Sequence, residues 1–305
     1  MRPDPSVLVF GGGGQLGRAL ALCDRPGRLR IVRYDREAAD ITDAQAVAEA
    51  IGVARPGLVV NAAAYTAVDQ AEREPDRCLA VNRDGAGNVA DACARAGVPL
   101  VHVSTDYVFD GAARAPYREY DPPSPVNLYG ASKLAGEALV RAATRRHVIL
   151  RTAWMFSPHG KNFLRTVLRL AQSGRPLRIV ADQLGCPTPA SAVAEAITLM
   201  AGRIIAGDGA WGVFHLAGAP PTSWHGFAET IISRAIPGPL APPVIPIGTA
   251  DYPTPARRPA QSTLACGRIL AAYGIAQPDW RAAIGTVLSE FPFDRATQAP
   301  AIRLS

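Results

Sequence analysis

A four-residue apolar run, Val7 to Phe10, ends in Gly11-Gly12-Gly13-Gly14-Gln15-Leu16-Gly17 and passes into the helical pattern Arg18 to Leu22. Strand, glycine-rich turn and helix in that order open a dinucleotide-binding α/β unit. Glycine has no Cβ, so the backbone can approach a pyrophosphate, whose charge is favoured at a helix N-terminus. Two registers fit: Gly12, Gly14 and Gly17 match G-x-G-x-x-G, while Gly11, Gly14 and Gly17 match G-x-x-G-x-x-G.

The first half of the chain keeps alternating in this way. Ile31 to Tyr34 reads as a second strand ending at Asp35, about 20 residues beyond the glycines, where an acid holds the adenosine ribose. Arg36 is adjacent and Arg18 follows Gly17, so two guanidinium groups could instead grip a 2′-phosphate. NADH and NADPH both stay open. Asp40-Ile41-Thr42-Asp43 caps a helix through Ile51. Leu58-Val59-Val60 is a third strand running into Asn61-Ala62-Ala63-Ala64-Tyr65, whose small residues allow close approach of a flat ligand. Asn82 to Ala96 is a helix with Asn82 as its cap, and the apolar run Val98 to Val103 a strand. The expected fold is α/β, a Rossmann-type doubly wound parallel sheet. Residues 1–155 form the dinucleotide-binding domain and 156–305 a smaller, loop-rich substrate region, with parts of 176–218 free to pack back on the first. The proline-rich stretch Pro237 to Pro259 reads as loop rather than core.

Chemistry enters at Ser104-Thr105-Asp106, at the carboxyl end of a strand, where open α/β sheets place their ligands. Tyr129 and Lys133 are one helical turn apart and so share a face. Lys133 and Lys161 are the only lysines among 32 basic residues, so the ammonium after Tyr129 stands out. A free phenol has a pKa of about 10, and a neighbouring ammonium is expected to lower it. Thr105, Tyr129 and Lys133 thus form a candidate set for carbonyl reduction, with Thr105 on the carbonyl oxygen and Tyr129 as proton donor.

A hydrophobic content of 48% with 19% charged residues indicates a globular protein. The net charge of +6 is spread along the chain without a block of like charges, which argues against nucleic acid and suits an anionic substrate. Five scattered cysteines without a C-x-x-C argue for reduced thiols in the cytoplasm. No apolar run is long enough for a membrane span, and no histidine spacing suggests a metal.

The glycine turn, Asn61-Ala62-Ala63-Ala64, Ser104 to Phe109 and Tyr129-x-x-x-Lys133 together resemble the extended short-chain dehydrogenase/reductases. Arg151-Thr152-Ala153-Trp154 and Asp182-Gln183-Leu184-Gly185-Cys186-Pro187-Thr188 narrow the resemblance to the dTDP-4-dehydrorhamnose reductase family, across nearly the whole chain. The resemblance implies reduction of a dTDP-sugar at C4, with Tyr129 donating the proton and Lys133 also binding the nicotinamide ribose. Gly14, Gln15 and Leu16 would hold the pyrophosphate and Asp40 and Ile41 would lie near the adenine. Ala63, Ala64, Tyr65, Thr66 and Val103 would line the cofactor cleft. Asp106 and Trp154 would contact the sugar, and Arg258 its diphosphate.

Family members are also expected to hold magnesium with glutamates at a dimer contact. Ala19 and Ser191 occupy the matching places, which predicts a metal-free monomer or weak homodimer. Two other readings use the same residues. A sugar-nucleotide dehydratase or epimerase shares the Tyr/Lys pair, but a dehydratase needs a glutamate where this chain has Tyr107. A non-catalytic subunit resembling the methionine adenosyltransferase beta subunit shares the Asp-Tyr-Val-Phe-Asp-Gly run, but Trp154 and Asp182-Gln183 favour the enzyme.

Overall fold

Val7 to Phe10, Leu58 to Asn61 and His147 to Thr152 are buried along their whole length, as strands covered by helices on both sides must be. The computed structural model describes residues 6–24 and 29–290. Six strands, β1 (Ser6–Phe10), β2 (Arg30–Tyr34), β3 (Leu58–Asn61), β4 (Leu100–Thr105), β5 (His147–Thr152) and β6 (Gly212–His215), make one sheet. All neighbours are parallel, in the order β6-β5-β4-β3-β1-β2. The chain leaves β1 toward one edge and returns through β3 toward the other. Phe10 pairs with Asn61, so Gly11 and Ala62 emerge side by side at this switch point, where a crevice opens.

Alternate residues of β1 feed two separate cores. Val7 and Val9 pack with Leu16 and Leu20 of helix Gln15–Ala21 and with Val193 and Ile197 of helix Ala190–Ile205. Leu8 and Phe10 pack with Val47 and Ile51 of helix Ala44–Ala54, Val89 of helix Gly85–Ala96 and Val140 of helix Leu128–Ala143. A third core holds Leu164, Phe227, Ile231, Trp280 and Ile284, joining helices Phe163–Ala171, Trp224–Ala235 and Trp280–Ser289.

The sheet extends past residue 155, into the 176–218 stretch. β6 and helix Ala190–Ile205 come later in the chain yet complete the first layer, while 291–305 fall outside the described residues. The proline-rich stretch holds one short extended strand outside the core. Within it Val244–Ile247 pairs in parallel with Leu177–Val180, Pro246 facing Ile179. In a two-stranded pair each strand is an edge, where a proline interrupts no second ladder. Among the described residues no helix is long and apolar enough to cross a membrane.

Candidate active site

The glycine turn is closed by contacts that leave no room for side chains. Gly11 has φ +82°, and a Cβ there would lie 2.6 Å from the Ala63 nitrogen. A Cβ at Gly17 would lie 2.5 Å from the Gly11 carbonyl oxygen. A cavity of about 550 Å³ opens over this turn, walled by Gly11, Gly14, Asp35, Arg36, Asp40, Ile41, Ala63, Ala64, Tyr65 and Thr66. Gly17 lies beneath the turn and is not part of this wall. Asp35 accepts from the Ala38 nitrogen at 3.0 Å, and Arg36 Nε pairs with Asp40 at 2.9 Å. One acid and one exposed guanidinium therefore stand together. The residues fit a dinucleotide: tight glycines, small alanines and a charged far end.

Asn82 is not the expected helix cap. It is buried in a π-helical turn, Ala80–Asp84, and clamps the backbone of Tyr65. Its Oδ1 accepts from the Tyr65 nitrogen at 2.8 Å, and its Nδ2 donates to the Tyr65 oxygen at 3.0 Å. Asn82 thus fixes the alanine-rich wall of the cavity.

A second cavity, about 430 Å³, shares Gly14, Ala62, Ala64 and Thr66 with the first. Gln15, Leu16, Val103, Thr105, Asp106, Tyr129, Lys133 and Trp154 supply its other walls. Thr105 is the last residue of β4. Its hydroxyl accepts from the Tyr107 nitrogen at 3.1 Å and donates to Asp106 Oδ1 at 3.0 Å. Asp106 is 2% exposed and its Oδ2 makes no hydrogen bond. Burial pushes its carboxyl up to about 7, against the pull of the Ser262 and Thr105 hydroxyls. Burial also raises the Tyr129 phenol well above its ordinary value, again opposed by Thr105. The Tyr107 ring meets Tyr129 edge-on, with centroids 5.8 Å apart.

The ammonium does not do what spacing alone predicts. Lys133 Nζ donates to the Val103 carbonyl at 2.7 Å and lies 3.4 Å from His102 Nε2. Burial lowers its pKa to about 8, with the Glu137 carboxylate pulling the other way. Burial is the largest influence on the phenol, and it works against the shift expected from the lysine. Glu137 in turn is buried between Arg151 Nε at 2.9 Å, Arg151 Nη2 at 2.8 Å and the Ser104 hydroxyl at 2.6 Å. This ion pair ties helix Leu128–Ala143 to β4 and β5, and so fixes where Lys133 emerges. It escapes sequence reasoning because its members lie on three elements with no common motif.

Trp154 follows β5 with φ +43°, a conformation costing a bulky residue roughly 1–3 kcal/mol and typical of functional sites. Gln15 is joined to the second half of the chain: its Oε1 accepts from Ser157 Oγ and from Asn162 Nδ2, both at 2.9 Å. Arg258, like Gly17, is an expected site residue that walls neither cavity. Asp69 holds its guanidinium in a two-pronged pair at 2.8 and 2.9 Å. As for metal, the side chains at 19 and 191 are a methyl and a hydroxyl, and a magnesium ion prefers carboxylate oxygens. That pair does not fit the ion. Among the described residues there is no cluster of three or more His, Cys, Asp or Glu able to hold a metal.

The profile of the RmlD substrate binding domain matches residues 5–293. The dTDP-4-dehydrorhamnose reductase of Sinorhizobium fredii is 45% identical over 278 residues, 90% of this chain and 93% of the relative. That of Burkholderia thailandensis is 45% identical over 292 residues, covering 92% and 96%. A crystal structure of dTDP-4-dehydrorhamnose reductase from Bacillus anthracis in complex with NADP superposes with a TM-score of 0.87 at 34% identity, covering 94% of this chain and all of that one.

Proposed function

Since this chain belongs to the RmlD substrate binding domain family, with the dTDP-4-dehydrorhamnose reductases, we propose that it reduces the C4 keto group of dTDP-4-dehydro-L-rhamnose to give dTDP-L-rhamnose. The observation that carries this reading is convergence. Thr105, Asp106, Tyr129, Lys133 and Trp154, from β4, β5, helix Leu128–Ala143 and the turns after the strands, wall one cavity that runs into the dinucleotide-sized trough.

NADPH or NADH, when bound, supplies the hydride. The chain supplies the proton and the geometry. Tyr129, kept protonated by burial, gives its proton to the keto oxygen as that oxygen gains charge. The Thr105 hydroxyl, beside it, turns to donate to the same oxygen. Lys133 keeps a positive charge at the base of the cavity and offers a donor to the nicotinamide ribose. Asp106 Oδ2, buried without a partner, accepts from a sugar hydroxyl. Trp154 forms the sugar wall. Gly14, Gln15 and Leu16 take the pyrophosphate, with Asp40 and Ile41 toward the adenine. Asp35 suits a free ribose and Arg36 a 2′-phosphate, which favours use of both cofactors with some preference for NADPH. Among the described residues the five cysteines form no disulfide, in keeping with a reducing, cytoplasmic setting.

The test is turnover. Purified protein with NADPH and dTDP-4-dehydro-L-rhamnose should oxidise the cofactor in stoichiometric amounts and yield dTDP-L-rhamnose. Epimerisation of a sugar nucleotide without net cofactor oxidation would replace this reading with the epimerase.

A further inference from the structure

The indole of Trp154 is gripped by residues that wall neither of the two cavities. Trp224 lies flat on it, with ring centroids 3.4 Å apart and planes 5° from parallel. Trp224 is half-buried at the first position of helix Trp224–Ala235, behind its N-cap Ser223. Phe163 supports it in turn at a centroid distance of 4.6 Å. Just before Trp224, Thr222–Ser223 pairs antiparallel with Leu184–Gly185, Thr222 facing Gly185. A methyl group on Gly185 would overlap the Trp154 indole. The backbone at Gly185 is not left-handed, so what this glycine supplies is space rather than conformational freedom.

Trp154 needs such a brace. Its φ of +43° is strained for a bulky residue, and strained backbone persists only where the surroundings over-determine it. The Thr188 nitrogen donates to the Trp154 carbonyl at 3.2 Å, and Met155–Phe156 pairs with Thr188–Pro189. These contacts fix the backbone. They leave the direction of the ring to its neighbours.

We propose that Trp224 and Gly185 are positioning residues that determine sugar-nucleotide specificity: stacking on one and clearance above the other hold the Trp154 indole in the orientation that walls the cavity. The proposal rests on the reading of Trp154 as a substrate contact, and it assigns no contact with substrate to Trp224 itself.

The experiment compares Trp224→Ala, Trp224→Phe and Gly185→Ala with Trp154→Ala in the full chain. For each, KM for the sugar nucleotide, kcat, the cofactor Kd and the circular-dichroism exciton couplet of stacked indoles are measured. Trp224→Ala and Gly185→Ala should each raise KM by about tenfold, approaching Trp154→Ala, with kcat and cofactor Kd little changed. Trp224→Ala should abolish the couplet, and Trp224→Phe, which keeps a flat face, should recover most of the lost affinity. A purely structural role would instead lower kcat and cofactor affinity together. A folded Trp224→Ala with wild-type KM, alongside a raised KM in Trp154→Ala, overturns the proposal and leaves the role of Trp154 standing. An unchanged KM in Trp154→Ala removes that role and the proposal with it. If Trp224→Ala does not fold, Gly185→Ala decides, because it disturbs the ring with Trp224 in place: a wild-type KM there overturns the proposal.

Discussion

At the scale of single residues the site is ruled by burial. A phenol that is to give up a proton must first hold it, and the dry surroundings of Tyr129 favour the protonated form. Tyr129→Phe should lower kcat by ~10²-fold or more while leaving the cofactor Kd unchanged, since the hydroxyl acts in the transition state. Near-normal turnover in that variant takes the proton from elsewhere. Asp106 gives a second test, through stability. Its carboxyl rises from 3.8 to about 7 on folding, so the native state takes up a proton across that window. Stability contributed by this group therefore falls as pH rises from about 4 to about 7. Thermal midpoints of Asp106→Asn should decline less over that range than those of the wild type. Parallel curves would mean that Asp106 titrates normally. Of these features the sequence shows the identity of the groups and their spacing, but not their states. A separation of four positions puts Tyr129 and Lys133 on one face, yet Val103 and His102 claim the ammonium, and neither belongs to the helix.

At the scale of elements, the glycine turn joins sequence to site most directly. β1, which leads into it, and β3 beside β1 are legible because both their faces are buried, which leaves continuous apolar runs. Gly17 is legible by spacing alone, and the structure supplies the reason: helix Gln15–Ala21 sits against the carbonyl of Gly11. Gly17→Ala should push the helix off the turn, weakening cofactor binding and lowering the melting temperature together. Intact cofactor affinity in that variant would mean that the turn absorbs a methyl group. Other elements were hidden for stated reasons. The strand Val244–Ile247 carries a proline that normally speaks against strands. Arg258 sits in a motif expected at the substrate diphosphate, but Asp69, 189 residues away, takes both its nitrogens. Asn82 reads as a cap by position, and only the π-helical turn reveals it as a clamp on Tyr65.

At the scale of the whole molecule, two halves of the sequence make one catalytic surface. Gln15 in the first turn is bonded to Ser157 and Asn162, and β6, from the 176–218 stretch, closes the sheet. Long-range pairings of this kind carry no local signature, which is why division of the chain was less legible than its start. The same scale bears on metal and assembly. With Ala19 and Ser191 at the places expected for magnesium-binding acids, exhaustive EDTA treatment should leave activity intact, and light scattering should give one mass with and without magnesium. Activity lost to the chelator and restored by magnesium alone would mean that other acids hold the ion. The central claim, hydride delivery to a C4 carbonyl beside Tyr129, is tested most directly by isotope. NADPH deuterated at the transferring carbon, turned over with dTDP-4-dehydro-L-rhamnose, should place one deuterium at C4 of the rhamnosyl product. Deuterium at any other carbon, or product formed without it, would contradict the account.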